Sequence, residues 1–409
     1  MKVLMVAPQP FFEPRGTPIS VYQRLHGLSE LGHEVDLVTY HVGNDVDIAG
    51  VNVHRAPRIP FIKKVRIGPS AAKVPLDVML LFKTLWMLLT RRYDVIHSHE
   101  EASFFLVILS WIFRTPHLYD MHSSLPKQLV NFNFGNYRIL FKLFEILEHW
   151  VLKTCDVVLT IGSDLEDYVL GVNKQANHIR IENIAVYNNA APGSDSVVAL
   201  RQKLGLDARL ALVYTGTFEV YQGLDILFES VSIVTQKHPN TRLIMVGGRP
   251  EQVAYWKDKV EQMGLGEDVV FTGTVSLEES LQYLDLADIL LSPRSGGLSV
   301  PLKIYSYLYA GKPTVATNIY AHTQILDEET AVIVEPDSQA YAAGIVRLIE
   351  DPELRARIGQ QARSYAEQEF SKEAYLRKLA RAYLAIKFSK RIAEISQSEF
   401  ASQQALNVP

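Results

Sequence analysis

Short β-rich runs alternate with amphipathic helical stretches along nearly all of the 409-residue chain, and the alternation begins afresh after a break near residue 190. Lys2–Ala7 reads as a buried strand. Val21, Leu25, Leu28 and Leu31 then recur at helical spacing until Gly32, and Glu34–Tyr40 alternates again as a strand. Further strands are predicted at 94–97, 117–119, 157–161 and 178–181, with long helical patterns at 76–90 and 137–154. Strand-helix-strand repetition implies a parallel sheet covered by helices on both faces. The small-residue stretch Ala190-Ala191-Pro192-Gly193-Ser194-Asp195-Ser196 reads as a linker between two α/β domains, 1–190 and 191–375. Strands at 210–214, 242–246, 269–271, 289–292 and 314–316 carry the pattern through the second half. A long helical pattern at 372–396 and a short tail, 397–409, close the chain.

Composition narrows the function class. Lys plus Arg total 41 against 45 Asp plus Glu, so a general nucleic-acid binder with a strong basic excess is excluded. The single cysteine, Cys155, excludes a disulfide framework and a cysteine-rich zinc site, and fits a cytoplasmic protein. Met1-Lys2 is followed by only five apolar residues before Pro8, which is no signal peptide, and the apolar run 104–113 is half of what a bilayer needs. One local charge feature stands out. Arg58, Lys63, Lys64, Arg66 and Lys73 fall within sixteen residues free of acids, interleaved with Phe61 and Ile62. This 58–73 stretch reads either as a contact for an anionic membrane surface or as a solvated loop before a core-facing helix.

Ligands of open α/β sheets bind beyond the carboxyl ends of the strands, so the loops after strands, facing a cleft between the two domains, hold the candidate site. In the first loop, Gly16 and Thr17 before a helix can offer free backbone N–H groups to an anion, and Arg15 adds a charge. His97, His99 and Glu100 follow the strand in YDVIHSHE, and Asp120 and His122 lie in YDMHSS. Of these, His97 reads as a core residue and His99 as functional, suited to hydrogen bonding a polyol or handling a proton. The same cluster is also a metal-ligand pattern. In the second half, Gly216, Gly247, Gly296, Gly297 and Gly311 permit close backbone approach, and Arg249, Arg294 and Lys303 can pair with a phosphate. Tyr305, Tyr307 and Leu308 read as helix packing.

The ordered series MKVLMVAP, ELGHEVDLVTY, YDVIHSHE, LVYTGTFEVYQGLDIL, LIMVGGRPE, VVFTGTV, ADILLSPR and AGKPTVAT resembles the family 4 retaining glycosyltransferases of GT-B fold. That family has two Rossmann-like domains facing each other across a cleft. The resemblance implies sugar transfer from a nucleotide diphosphate donor, a UDP- or GDP-sugar, to a glycan, lipid-linked or small-molecule acceptor, with retention. It implies no other cofactor and no metal, a location in the cytoplasm or on the inner face of the membrane, and a C-terminal helix (376–396) returning to the first domain. By the same resemblance His99 lies beside the sugar, His122 across from it, and Val275 offers backbone contacts to the base.

Four charges of the family pattern are missing. Its two glutamates, counted back from Gly311, fall on Leu298 and Ser306, and its diphosphate-binding Arg and Lys fall on Thr217 and Gln222. A leaving diphosphate needs its growing charge stabilised. Arg294 and Lys303, aided by Arg15 or Arg249, are therefore the expected substitutes. Two other readings compete: a sugar- or nucleotide-binding protein that keeps the fold without turnover, and a metal-dependent hydrolase built on His97, His99, Asp120 and His122.

Overall fold

The computed structural model describes residues 1–13, 16–62, 64–65, 70, 73–126, 138–182, 194–297 and 300–405. The chain divides into two compact units, Met1–Asn183 with Tyr375–Pro409, and Ile184–Ala374. The 190–196 stretch assigned as a linker lies mostly outside the described residues, as do Arg15 and Leu298.

In the first unit seven parallel strands, β1 (Lys2–Ala7), β2 (Glu34–Thr39), β3 (Val51–Arg55), β4 (Val95–His99), β5 (His117–Met121), β6 (Val157–Thr160) and β7 (His178–Arg180), lie in the order β3-β2-β1-β4-β5-β6-β7. The inner strands β1, β2, β4, β5 and β6 are buried on both faces along nearly their whole length. Leu4, Val6, Val38 and Ile96 meet Leu76, Leu80 and Leu106 from the helices Lys73–Thr90 and Ala102–Phe113. β3 and the helix Ala102–Phe113 escaped the periodicity reading. β3 has no fully buried residue, and the helix is apolar on every side, so neither shows a clear period.

The second unit repeats the plan with six parallel strands, β8 (Leu210–Thr215), β9 (Thr241–Val246), β10 (Val269–Gly273), β11 (Ile289–Ser292), β12 (Thr314–Thr317) and β13 (Val332–Val334), ordered β10-β9-β8-β11-β12-β13. Alternation divides each strand between two cores. Leu212 and Tyr214 pack with Leu227, Phe228 and Ile345 on one face, while Ala211 and Val213 pack with Ile304, Leu308 and Ala362 on the other. This is the doubly wound, Rossmann-like arrangement expected for both halves. The strand order reverses at β1/β4 in the first sheet and at β8/β11 in the second. At such reversals adjacent crossovers run to opposite faces and leave a crevice at the carboxyl ends of the strands.

The second crevice is bordered by two glycine loops in contact. Gly216 and Gly247 follow β8 and β9, and Gly247 has φ of 117°. A Cβ added at Gly247 would lie 2.1 Å from the Gly216 carbonyl oxygen, so no side chain fits there. Replacing Gly247 by Ala is expected to cost about 1–3 kcal/mol through the strained φ alone, read as a lower thermal midpoint. An unchanged midpoint would contradict this contact.

Candidate active site

In the second unit, β8 and β11 pair only at Leu212 and Val213 before they part. Tyr307 fills the gap. Its hydroxyl accepts from the Thr215 backbone N–H (2.9 Å) and lies 3.4 Å from the Leu291 carbonyl oxygen, so one side chain ties both strand ends. Tyr307 belongs to the helix Leu302–Ala310, which its burial and that of Ile304 and Leu308 hold against the sheet. Lys303 lies one turn earlier on the same face of this helix. Its Nζ donates to Gln222 Oε1 (3.1 Å) and rests 3.9 Å from the Tyr214 ring centroid. A Cβ built on Gly216 would be 3.5 Å from that ammonium.

Arg294 follows β11. Its Nε donates to the Gly296 carbonyl (2.6 Å) and its guanidinium lies over the Tyr221 ring at 5.1 Å. Gly297, with φ of 112°, leaves room for this guanidinium, because a Cβ there would collide with Nη2 at 2.2 Å. Burial, then repulsion from Arg294, pulls the Lys303 ammonium well below its ordinary pKa. Burial likewise lowers Arg294, against partial support from Tyr221 and Tyr214. Lys303 is partly exposed as a residue, while its ammonium is desolvated. Among the described residues no carboxylate contributes to either shift. Two mutually repelling cations beside glycine backbone form a ready electrostatic host for an anion.

Support for this loop was missed by sequence reasoning. His322 is fully buried and bridges Ser292 Oγ (2.9 Å) and the Thr317 carbonyl oxygen (2.9 Å), while Thr317 Oγ1 donates to the Arg294 carbonyl. Burial, with the nearby cations, lowers His322 to about 4. No motif announces this histidine, since its partners lie 5 and 30 residues away.

The other expected donor residues divide. Gln222 is buried and its amide lies 3.5 Å from Thr217 Oγ1, so Lys303, Gln222 and Thr217 form one chain. Ser306 lies one turn after Lys303 and is partly exposed. Val275 packs at the edge of the core. Arg249 was expected to assist a phosphate, but it is exposed and paired with Glu219 (3.0 Å) and Glu251 (2.8 Å). Its charge is matched by two carboxylates, which removes the demand for an anion.

In the first unit His97 lies within β4 as its reading as a core residue implies, while His99 and Asp120, expected after their strands, lie within β4 and β5. His97, His99 and Asp120 are fully buried and His122 nearly so. Their burial is tolerated through mutual contacts. Arg24 Nε donates to Asp120 Oδ2 at 2.7 Å, His97 Nδ1 meets the Tyr383 hydroxyl at 2.8 Å, and His99 Nδ1 meets His122 Nε2 at 2.9 Å. His97 stacks on His99, which stacks on His122. Burial lowers all three histidines below their ordinary pKa, His122 to about 4. Among the described residues His97 Nε2, His99 Nε2 and His122 Nδ1 have no hydrogen-bond partner, so each ring of the stack keeps one open nitrogen. His97, His99 and Asp120 bring ligand atoms within 4.8 Å of one another, but Arg24 already neutralises Asp120, which disfavours a metal ion there. Gly16 and Thr17 open the first helix, Gly16–Glu30, and Thr17 Oγ1 donates to Glu100 Oε1 at 3.0 Å.

Two parallel Rossmann-like units, each with a strand-order reversal, give the fold of the chain's structural neighbours, which are GT-B glycosyltransferases. Sucrose-phosphate synthase from Thermosynechococcus elongatus superposes with a TM-score of 0.72 at 19% identity, over 95% of this chain and 99% of that one. Anabaena HepE in complex with UDP gives 0.72 at 18% identity, over 94% and 100%. Residues 14–183 match the family model Glycosyltransferase Family 4, and residues 198–365 match Glycosyl transferases group 1. Each half of the chain thus matches a glycosyltransferase domain model. An uncharacterized glycosyltransferase of Methanocaldococcus jannaschii is 25% identical over 91% of this chain and 95% of its own length. The sulfoquinovosyl transferase of Arabidopsis thaliana is 23% identical over 89% and 70%.

The pH response of His322 follows from its environment. The unfolded chain takes up a proton near 6.5 that the folded chain refuses down to about 4. Its stabilising share is therefore full above 6.5 and lost as pH falls toward 4. His322→Asn is expected to make the fall in unfolding free energy between pH 6.5 and 4.5 shallower by up to about 1.4 kcal/mol per pH unit. Parallel denaturation curves for the two proteins would contradict the buried neutral imidazole.

Proposed function

We propose that the chain transfers a sugar from a nucleoside diphosphate donor, held in the second unit, to a glycan, lipid-linked or small-molecule acceptor, with retention. The donor's diphosphate lies against Lys303, Arg294 and the backbone of Gly216, and its nucleoside reaches toward Gly247 and Val275. Ser306 replaces a carboxylate near the ribose. In the first unit, His99 is the side chain assigned to a sugar hydroxyl. A UDP- or GDP-sugar is the expected donor, with no metal and no further cofactor.

One observation carries this reading. The Lys303 ammonium stands at the Gln222 amide, the position where the resembling family has its own diphosphate-binding lysine. The charge missing from one loop is supplied by a neighbouring helix, beside the same glycine. A pair of cations there supplies leaving-group stabilisation, and removal of one such preorganised donor costs about 10²–10³ in rate. Retention is supported by the chemistry of the leaving group, whose phosphate can assist attack on the same face, so that no glycosidase-like carboxylate pair is needed.

Lys303→Met is expected to lower kcat/KM by about 10²–10³, and the exchange Gln222→Lys with Lys303→Gln to recover part of that loss. A panel of UDP, GDP and ADP in a thermal-shift assay identifies the base, since a ligand at a hundred times its Kd adds about 2.7 kcal/mol to stability. Wild-type turnover in Lys303→Met would reject the assignment. Stabilisation by a nucleotide with no turnover of any sugar donor would favour the binding protein without catalysis.

A further inference from the structure

The first unit carries an apolar outer face that its fold does not require. The helices Lys73–Thr90, Ala102–Phe113 and Arg138–Thr154 lie side by side on one face of the first sheet, the middle one touching both others. Their inner sides form the core with Leu76, Leu80, Leu106 and Val151. Their outer sides expose Phe82, Trp86 and Leu89, then Ile108, Trp111 and Ile112, then Ile139, Leu143, Ile146 and Trp150. Trp111 is 81% exposed, and Phe61, in the loop packed beside the first of these helices through Ile59 and Ile62, is 93% exposed. Single exposed apolar residues are ordinary, but ten or more across adjacent helices mark a contact surface.

Positive charge predominates on this face. The helix Ala102–Phe113 has no charged side chain at all. In Lys73–Thr90 the only acid, Asp77, accepts from the Tyr40 hydroxyl, and in Arg138–Thr154 Glu148 is buried against Ser124 and Leu125. Glu145 is the remaining acid of the three helices. Exposed cations surround the apolar side chains: Arg58 and Lys64 flank Phe61, Arg114 follows Trp111, and Lys142 and Lys153 bracket the third helix. The Lys83 ammonium lies over the Trp86 ring at 4.5 Å. No helix of the described residues is long and apolar enough to cross a membrane.

We infer that this face seats the protein on an anionic phospholipid surface, with the tryptophans and Phe61 entering the interface and the cations meeting lipid phosphates. Aromatic side chains favour the headgroup level, and interfacial helices combine an apolar face with Lys and Arg. A second copy of the chain fits less well, because joining two such faces would bury like charges against each other. The inference enlarges the role expected of residues 58–73 from one basic loop to three helices and that loop. It does not depend on the donor assignment.

The full chain, without donor, is floated with vesicles of phosphatidylcholine alone or mixed with phosphatidylglycerol, at low and high salt. The expected result is binding at least tenfold tighter to the anionic vesicles, weakened by salt, and reduced at least fivefold in Phe61→Ser/Trp111→Ser. Both side chains are almost fully exposed, so the double variant should keep the thermal midpoint of the parent. No flotation with anionic vesicles, equal binding to both compositions, or a concentration-dependent dimer that the double variant abolishes would each overturn the inference.

Discussion

The wedge of Tyr307 between the ends of β8 and β11 is the contact on which the proposed donor site depends. A parallel sheet must leave its strands unpaired somewhere beyond a strand-order reversal, and the backbone N–H of Thr215 would be orphaned there. The Tyr307 hydroxyl satisfies it and approaches the Leu291 carbonyl from the other side. Fixing that helix also fixes Lys303 four residues earlier, so a packing requirement delivers a cation to the crevice. His322 and Thr317 do the same for the backbone of Arg294.

The two units solve opposite electrostatic problems at equivalent places in their sheets. In the first, Asp120 at the end of β5 is matched by Arg24, and the surrounding histidines remain neutral through burial. In the second, Lys303 and Arg294 stand together, and each is held below its ordinary pKa without help from a carboxylate. The first arrangement suits hydrogen bonding to a neutral polyol; the second suits an anion. This difference supports placing a sugar hydroxyl near His99 and a diphosphate near Lys303.

The fold was legible because strand-helix alternation is a period visible in sequence, and both parallel sheets follow from it. The elements that escaped were those without a period, such as β3, or with apolar residues all round, such as Ala102–Phe113. The cations were legible as types, and Arg294 and Lys303 do share a crevice. What sequence could not distinguish was Arg249 from Arg294. Both follow strands and both lie within two residues of a glycine, yet Glu219 and Glu251 match the charge of the first. Nor could it reveal that Gln222, which seemed only to mark a lost lysine, receives the ammonium of Lys303. Such pairings across 81 residues exist only after folding.

A calorimetric titration with a nucleoside diphosphate at pH 9, in buffers of different ionisation enthalpy, tests the central claim most directly. The phosphates are fully ionised at that pH, and comparing the native protein with a position-303 variant cancels protons carried by the base, so the difference in proton uptake reports Lys303. Burial and Arg294 hold the Lys303 pKa low, and an arriving trianion raises it, so binding draws protons onto whatever fraction had lost them. The account predicts net proton uptake by the native protein and its loss in a variant with methionine at position 303. Binding with no proton uptake, or with the same uptake in both proteins, would contradict it.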